Sequence, residues 1–135
     1  MDEMLAALKR QYQIEQLVTE YNMGWDQRDH ARVVSCFTPD GVFVDAMGNA
    51  HVGAEGITAF VENSFAIFGA MRHMTMNHTL TPTEEGWEHR CYMLFAGKIN
   101  TSSPDHTSGW YRDDVVEVDG NLRFKTRRVY LDGGE

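Results

Sequence analysis

The hydrophobic periodicity of this chain changes once, at Met71, and that change constrains what it can fold into more than any other feature. Before Met71, apolar residues recur at helical spacing. Leu5, Leu8, Tyr12, Leu17, Tyr21 and Trp25 fall on roughly one face and predict a helix from about Asp2 to Gln27. Asp29 is placed to cap a short second helix through Val33, Val34 and Phe37, which Pro39-Asp40-Gly41 stops and turns. Val42-Phe43-Val44 reads as a short strand, and Met47-Gly48-Asn49 turns it back toward His51-Val52. A third helix from about Ala54 to Phe68 carries Ile57, Phe60, Val61, Phe65 and Phe68 on one side, with Gly69 set to end it. From Met71 onward the period is two. Met71–Thr83, Trp87–Lys98, Ser108–Val118 and Leu122–Leu131 read as four long strands, the last two joined by an Asp119-Gly120 hairpin. Helices followed by antiparallel strands predict an α+β domain with its helices on one face of a curved sheet.

The 135 residues leave room for one domain, 1–135, and show no repeat, low-complexity tract or Pro/Gly linker. The segments without periodicity are NTSSPDHTSG, around Ser102–Gly109, and the Gly133–Glu135 tail. A domain of this length buries roughly 65–70% of its unfolded surface and needs neither disulfide nor metal to fold. The formal net charge is −8, from 12 basic and 20 acidic residues, which excludes nucleic acid and anionic membrane as partners because binding phosphate takes a basic face. Cys36 and Cys91 lie far apart with no CxxC, so two reduced, largely buried thiols are expected. The N-terminal MDEMLAALKRQ lacks the pattern of a signal peptide, and no run reaches the ~20 apolar residues of a membrane span. A cytoplasmic protein is the expectation.

Four segments, in this order, carry a resemblance: EYNMGWDQRDHARVVSCFTPDGVFVD, HVGAEGITAFV, RHMTMNH and GWYRDDVVEVDGNLRFKTRRV. Together they span nearly the whole chain, which resembles the NTF2-like/SnoaL-like superfamily. The resemblance implies a cone-shaped fold of about three helices packed on a highly curved antiparallel sheet. The fold hosts enzymes, binding subunits and non-enzymes alike, so it does not settle the chemistry. Dehydratases and a dehydrochlorinase of this fold carry an Asp at the position of Asp26 and a His at that of His73. One bile-acid-dehydratase-like group also carries a Tyr five residues before the Asp, here Tyr21. His73-Met74-Thr75-Met76-Asn77 repeats the His-x-x-x-Asn spacing of such lyases. Scytalone-dehydratase-like enzymes use a second His on the next strand, for which His89 is the nearest candidate.

An imidazole with an ordinary pKa of roughly 6.5 is mostly a neutral base at pH 7. A carboxylate on its far nitrogen fixes the tautomer and stabilises the imidazolium that forms when it takes a proton. His73 backed by Asp26 can therefore remove a proton next to a leaving group. Strand alternation alone assigns His73, Thr75 and Asn77 to one face and Met74, Met76 and Leu80 to the other, and an isolated sheet would bury the methionine face instead. The resemblance favours His73 in the pocket with the Met face covered by another subunit. Asp26 is either a pocket residue or part of a solvated helix exit. Tyr21 is either a proton donor or a packed aromatic with a hydrogen-bonded hydroxyl. His89 and Cys91 share a strand face that either lines the pocket wall or packs in the core. Met71, Met74, Met76 and Met93, with Phe60, Phe65, Phe68 and Phe95, either line an adaptable apolar cavity or form ordinary core.

His30, His51, His78 and His106 show no metal-binding spacing, and there is no HExxH, no GxGxxG after a strand and no serine elbow. No metal and no cofactor are expected. The reading is a cofactor-independent lyase or isomerase acting on a small hydrophobic organic molecule, with His73 as base, Asp26 as its orienting partner and Tyr21 as acid or hydrogen-bond donor. Asn77, His89, Trp25 and Phe60 are the expected substrate contacts. The alternative is a non-catalytic binding or assembly module. An apolar outer stripe predicts a homodimer, with a higher oligomer as the other possibility.

Overall fold

The computed structural model describes residues 1–99 and 104–133. Three helices, α1 (Asp2–Asp26), α2 (His30–Val34) and α3 (Gly53–Ile67), pack on a curved, unclosed sheet. Its strands are β1 (Phe37–Val44), β2 (Ala50–Val52), β3 (Phe68–Pro82), β4 (Trp87–Ile99), β5 (Pro104–Val118) and β6 (Asn121–Leu131). Their spatial order is β2-β1-β6-β5-β4-β3. The α+β class and the run of four long strands after α3 match the expectation. The sheet departs from it at one seam, where β1 runs parallel to β6 because the helical α3 crossover separates β1 from the long strands. No helix among the described residues is long and apolar enough to cross a membrane.

Several local expectations change. Phe37 starts β1 rather than ending α2, and Pro39-Asp40-Gly41 forms an irregularity within β1 between Phe37 and Val42 rather than a stop. Proline is tolerated there because an interrupted ladder needs no N–H from it. Gly69 does not end α3; the helix stops at Ile67, and Phe68 is already extended at φ −93°, ψ 137°. Of the segments expected to be irregular, 100–103 and 134–135 lie outside the described residues, while 104–109 extend β5 by pairing with β4. Asp119 and Gly120 both take positive φ, 52° and 81°, as a two-residue hairpin turn matched to strand twist requires.

The core lies between α1, α3 and the concave sheet face. Ile14, Leu17, Val18, Tyr21 and Trp25 from α1 meet Ile57 and Val61 of α3 and Met71, Cys91, Met93, Tyr111, Val115 and Phe124 of the strands. Only the second half of α1 takes part. Leu5, Leu8 and Tyr12, expected on its buried stripe, are 56–64% exposed because the helix outruns the sheet beneath it.

Two bulges decide which side chains face inward. On β3 the register slips between Met76 and Thr79, and Asn77 sits at φ 61°. Before the slip His73 and Thr75 face in; after it His78 and Leu80 do. Asn77 thus turns outward and Leu80 inward, reversing the alternation expected for both, since one inserted residue flips the parity of all that follow. On β6 the slip falls at Lys125, so Phe124 and then Arg127 point to the core.

Candidate active site

The cone holds a cavity of about 390 Å³ between the end of α1, α3 and the concave face. Its walls are chiefly aromatic and aliphatic: Tyr21 and Trp25 of α1, Phe43 of β1, Phe60 of α3, Met71 of β3, Met93 and Phe95 of β4, Tyr111 of β5 and Val129 of β6. Ser64, His73, His106 and Thr107 add polar groups. This is the character of small-molecule sites, a dry wall with few polar groups.

Asp26 is the last residue of α1, and the chain around it is held firmly. Gly24 lets α2 press against α1, since a Cβ there would lie 2.9 Å from Val33 Cγ2. The Asp29 carboxylate caps α2 by accepting from Arg32 N at 3.1 Å. Arg28 reaches across to the end of α3, donating to the Phe65 carbonyl in its last turn, which the helix end leaves without a partner, and to the carbonyls of Phe68 (3.0 Å) and Gly69 (3.3 Å) at the start of β3. Asp26 is thereby fixed over the start of β3.

There it meets His73. The ring Nδ1 of His73 lies 2.7 Å from Asp26 Oδ1. The backbone N–H of His73 also donates to the carboxylate, at 3.1 Å to Oδ1 and 3.0 Å to Oδ2. Both side chains are only 10% exposed. An ionised carboxylate can only accept, so Nδ1 carries the proton and Nε2 keeps its lone pair. The ring is clamped between Trp25, at 5.7 Å between centroids, and Phe95, edge-on at 4.9 Å. A carboxylate, an imidazole of fixed tautomer and an apolar cavity are the components of a proton-abstracting site.

The other expected site residues divide. Trp25 and Phe60 line the cavity. Tyr21 borders it too but is 2% exposed and meets Trp25, Phe37, Tyr111 and Phe124 edge-on. Burial pushes its phenol well above the usual value, Tyr111 adds to the rise, and Arg127 opposes it. Asn77 does not line the cavity; the bulge sends it to the outer face, beside Arg90, Tyr92 and Trp110. His89 is also absent from the walls. It stands six residues along β4 from Phe95, the partner of His73, or about 20 Å of strand. It takes the core position, fully buried.

Of the methionines and phenylalanines singled out, Met71, Met93, Phe60, Phe68 and Phe95 line the cavity. Phe65 packs on Trp25, and Met74 and Met76 face outward, 41% and 42% exposed. Sequence reading missed Ser64, His106, Thr107 and Tyr111. Period-two alternation carried back from Tyr111 through Gly109 reaches Thr107, so the signal was there, hidden under a Ser/Thr/Pro/Gly composition that reads as loop. It also missed a buried polar group: Asp113 accepts from Arg127 Nη1 at 3.3 Å and meets His89 Nδ1 at 2.7 Å, and His89 Nε2 meets His78 Nδ1 at 3.0 Å. Arg127 lies over the rings of Tyr111 (3.6 Å), Tyr21 (4.2 Å) and Phe124 (4.4 Å). The bulge at Lys125 concealed it, because unbroken alternation from Phe124 would turn position 127 to solvent.

Comparisons with known proteins agree with this architecture. The chain is similar to a candidate scytalone dehydratase from Novosphingobium aromaticivorans, at 23% identity over 93% of this chain and 85% of that one, with a TM-score of 0.84. The hexachlorocyclohexane dehydrochlorinase LinA-type3 from Novosphingobium barchaimii matches at 18% identity, covering 95% and 90%, with a TM-score of 0.84. ActVI-ORFA from Streptomyces coelicolor matches at 23% identity, covering 92% and 98%, with a TM-score of 0.80. At these identities the likeness is one of fold. A sequence comparison with curated proteins finds no match. The model of the SnoaL-like domain matches residues 6–128, and the chain belongs to that family.

Proposed function

We propose that this member of the SnoaL-like domain family is a cofactor-independent lyase, with isomerisation as the closely related outcome, acting on a small hydrophobic organic molecule. The observation that carries the reading is the 2.7 Å contact between Asp26 and His73 at the wall of an apolar cavity. His73 Nε2 takes a proton from a carbon of the bound molecule. Asp26 stabilises the imidazolium at Nδ1. Departure of a leaving group from the neighbouring carbon gives elimination; return of the proton elsewhere gives isomerisation. Trp25 and Phe60 hold the substrate by apolar contact. Tyr21 serves as a hydrogen-bond donor, since its raised pKa makes the phenolate costly.

The scytalone dehydratase candidate and the dehydrochlorinase carry names of elimination chemistry on this fold, which favours the lyase form. We further propose a homodimer through the outer sheet face, where Met74, Met76, Tyr92 and Leu94 are 38–60% exposed. The free thiols Cys36 and Cys91 accord with a reducing, cytoplasmic setting. The test is a screen of hydrophobic alcohols, halides and ketones for turnover by the wild type, followed by His73→Ala. Turnover lost in that variant, with ligand affinity kept, supports the reading. Binding without turnover in the wild type assigns the alternative, a binding module.

A further inference from the structure

The buried polar cluster under α1 contains three side chains that no role in the cavity accounts for. His78, His89 and Cys91 each offer one ligand atom, and these atoms all lie within 4.8 Å of one another. His78 Nδ1 and His89 Nε2 face each other at 3.0 Å. A tetrahedral zinc ion with bonds of about 2.0–2.1 Å to nitrogen and 2.3 Å to sulfur sets its ligands roughly 3.3–3.6 Å apart. Adjustments of an ångström or so would bring the three to that spacing. His89 and Cys91 are fully buried, whereas His78 is partly open, so a fourth position faces the wetter side.

Two independent features of the chain converge on this point. The first is the β3 bulge. Without it His78 would project to the outer face with Met74 and Met76; the left-handed Asn77, at φ 61°, turns it inward onto His89. A non-glycine residue in that region is strained, and here the strain aims one imidazole at another. The second is Asp113, 2.7 Å from His89 Nδ1. By accepting that N–H it leaves Nε2 as the lone pair directed at His78 and Cys91. A carboxylate behind a ligating histidine is the recurring outer partner at zinc sites.

We propose that His78, His89 and Cys91 form a site for a zinc-class divalent transition-metal ion, distinct from the Asp26–His73 cavity. Nitrogen and sulfur donors exclude the hard cations, which take oxygen. On binding, the Cys91 thiol loses its proton to solvent and its sulfur bonds the metal. His78 keeps one proton, moved from Nδ1 to Nε2, so one proton is released per metal bound. Burial pushes the Cys91 thiol up to about 11, and affinity therefore rises with pH. The charged groups facing the cluster are Arg127, whose charge Asp113 offsets, and Glu15, near His78. The bound ion pins the bulged end of β3 to β4. Five residues along β3 separate His78 from His73, about 16 Å of strand, so the site stands whether or not the cavity is catalytic.

The experiment is a titration of the reduced, metal-free protein with Co²⁺, then Zn²⁺. The expected result is one Co²⁺ per chain, with thiolate-to-cobalt charge-transfer absorption that Zn²⁺ removes. Zinc should also raise the melting temperature, with the logarithm of the free zinc concentration once it exceeds Kd. Cys91→Ser should lose the charge-transfer band. His78→Gln should weaken zinc by more than about 10-fold, the least that loss of even an outer partner costs. Absence of the band in the wild type overturns the proposal. So does a band that survives in Cys91→Ser, which would assign it to Cys36, or unchanged affinity in His78→Gln. Should Cys91→Ser fail to fold, the wild-type band and the partly open His78 decide the matter.

Discussion

Asp26 holds His73 at two points, the ring Nδ1 at 2.7 Å and the backbone N–H at 3.1 and 3.0 Å. One carboxylate thus sets both where β3 begins under α1 and which ring nitrogen carries the proton. Asp26→Asn separates these two functions. The amide oxygen can still accept the backbone N–H, but the amide N–H₂ then meets Nδ1 and demands a lone pair there. The imidazole proton moves to Nε2, on the side that should take a proton from substrate. We expect a fall in kcat of roughly 10⁴-fold, the size seen when a histidine base is forced into the wrong tautomer. KM and thermal stability should change little. His73→Ala should fall at least as far, and a variant that keeps wild-type kcat would remove the base from the mechanism.

How much of this was readable beforehand follows from where parity holds. Asp26 and His73 lie in stretches of unbroken period, α1 and the first half of β3, so their meeting could be anticipated from residue types and a family resemblance. Asn77, Leu80 and Arg127 lie at or beyond a bulge, where one inserted residue reverses inside and outside. A bulge in a Met-Asn-His-Thr run leaves no turn signature, and no glycine marks it. The exposed half of α1 failed for a different reason: Leu5, Leu8 and Tyr12 keep helical spacing, but periodicity gives a face and not the length of sheet beneath it.

The Tyr21 phenol tests the nature of the acid. Its burial among four aromatic rings and its raised pKa favour hydrogen-bond donation over full proton transfer. Tyr21→Phe should therefore lower kcat only about 5-fold, which corresponds to one neutral hydrogen bond of about 1 kcal/mol. A loss approaching that of His73→Ala would identify Tyr21 as the general acid. Steady-state kinetics on both variants distinguish the outcomes.

His78 makes stability depend on pH in a defined direction. Its pKa in the fold lies below the ordinary 6.5, chiefly because burial disfavours the cation and secondarily because His89 is adjacent. The unfolded chain then binds a proton that the folded chain refuses. Stability from the neutral ring is complete above about pH 6.5 and declines as pH falls from there toward the lower folded pKa. Glu15 and Asp113 oppose this shift and Arg127 adds to it. Urea unfolding of metal-free protein at stepped pH should show the decline in the wild type and a shallower one in His78→Gln. Equal slopes would mean that another group carries the dependence.

The outer sheet face makes the assembly testable. Met74 and Met76 stand on β3 with Tyr92 and Leu94 beside them on β4. Met74→Glu with Met76→Lys places charge across this surface without touching the core, since both side chains are 41–42% exposed. If the face is a dimer seam, the double variant should run as a monomer in analytical ultracentrifugation at micromolar concentration while the wild type runs as a dimer. A monomeric wild type would refute the seam outright.

Arg127 and Asp113 are the most consequential buried charges in the described fold, and their coupling can be measured. Both side chains are fully buried and joined at 3.3 Å, while Arg127 Nε and Nη2 and Asp113 Oδ1 lack protein partners. The guanidinium plane instead lies over Tyr111, Tyr21 and Phe124. Arg127→Met keeps an unbranched stem over those rings but strands the Asp113 carboxylate in the interior. Breaking one side of such a pair costs about 3–5 kcal/mol, because the remaining charge is desolvated without a counter-ion. Asp113→Asn in the Arg127→Met background removes that charge and keeps an oxygen for His89 Nδ1–H. The double variant should therefore recover much of the loss and be more stable than Arg127→Met alone. Urea midpoints of the wild type, both single variants and the double close the cycle. If the double variant loses the sum of the two single losses, the pair is not coupled, and Arg127 is held by its aromatic neighbours rather than by Asp113.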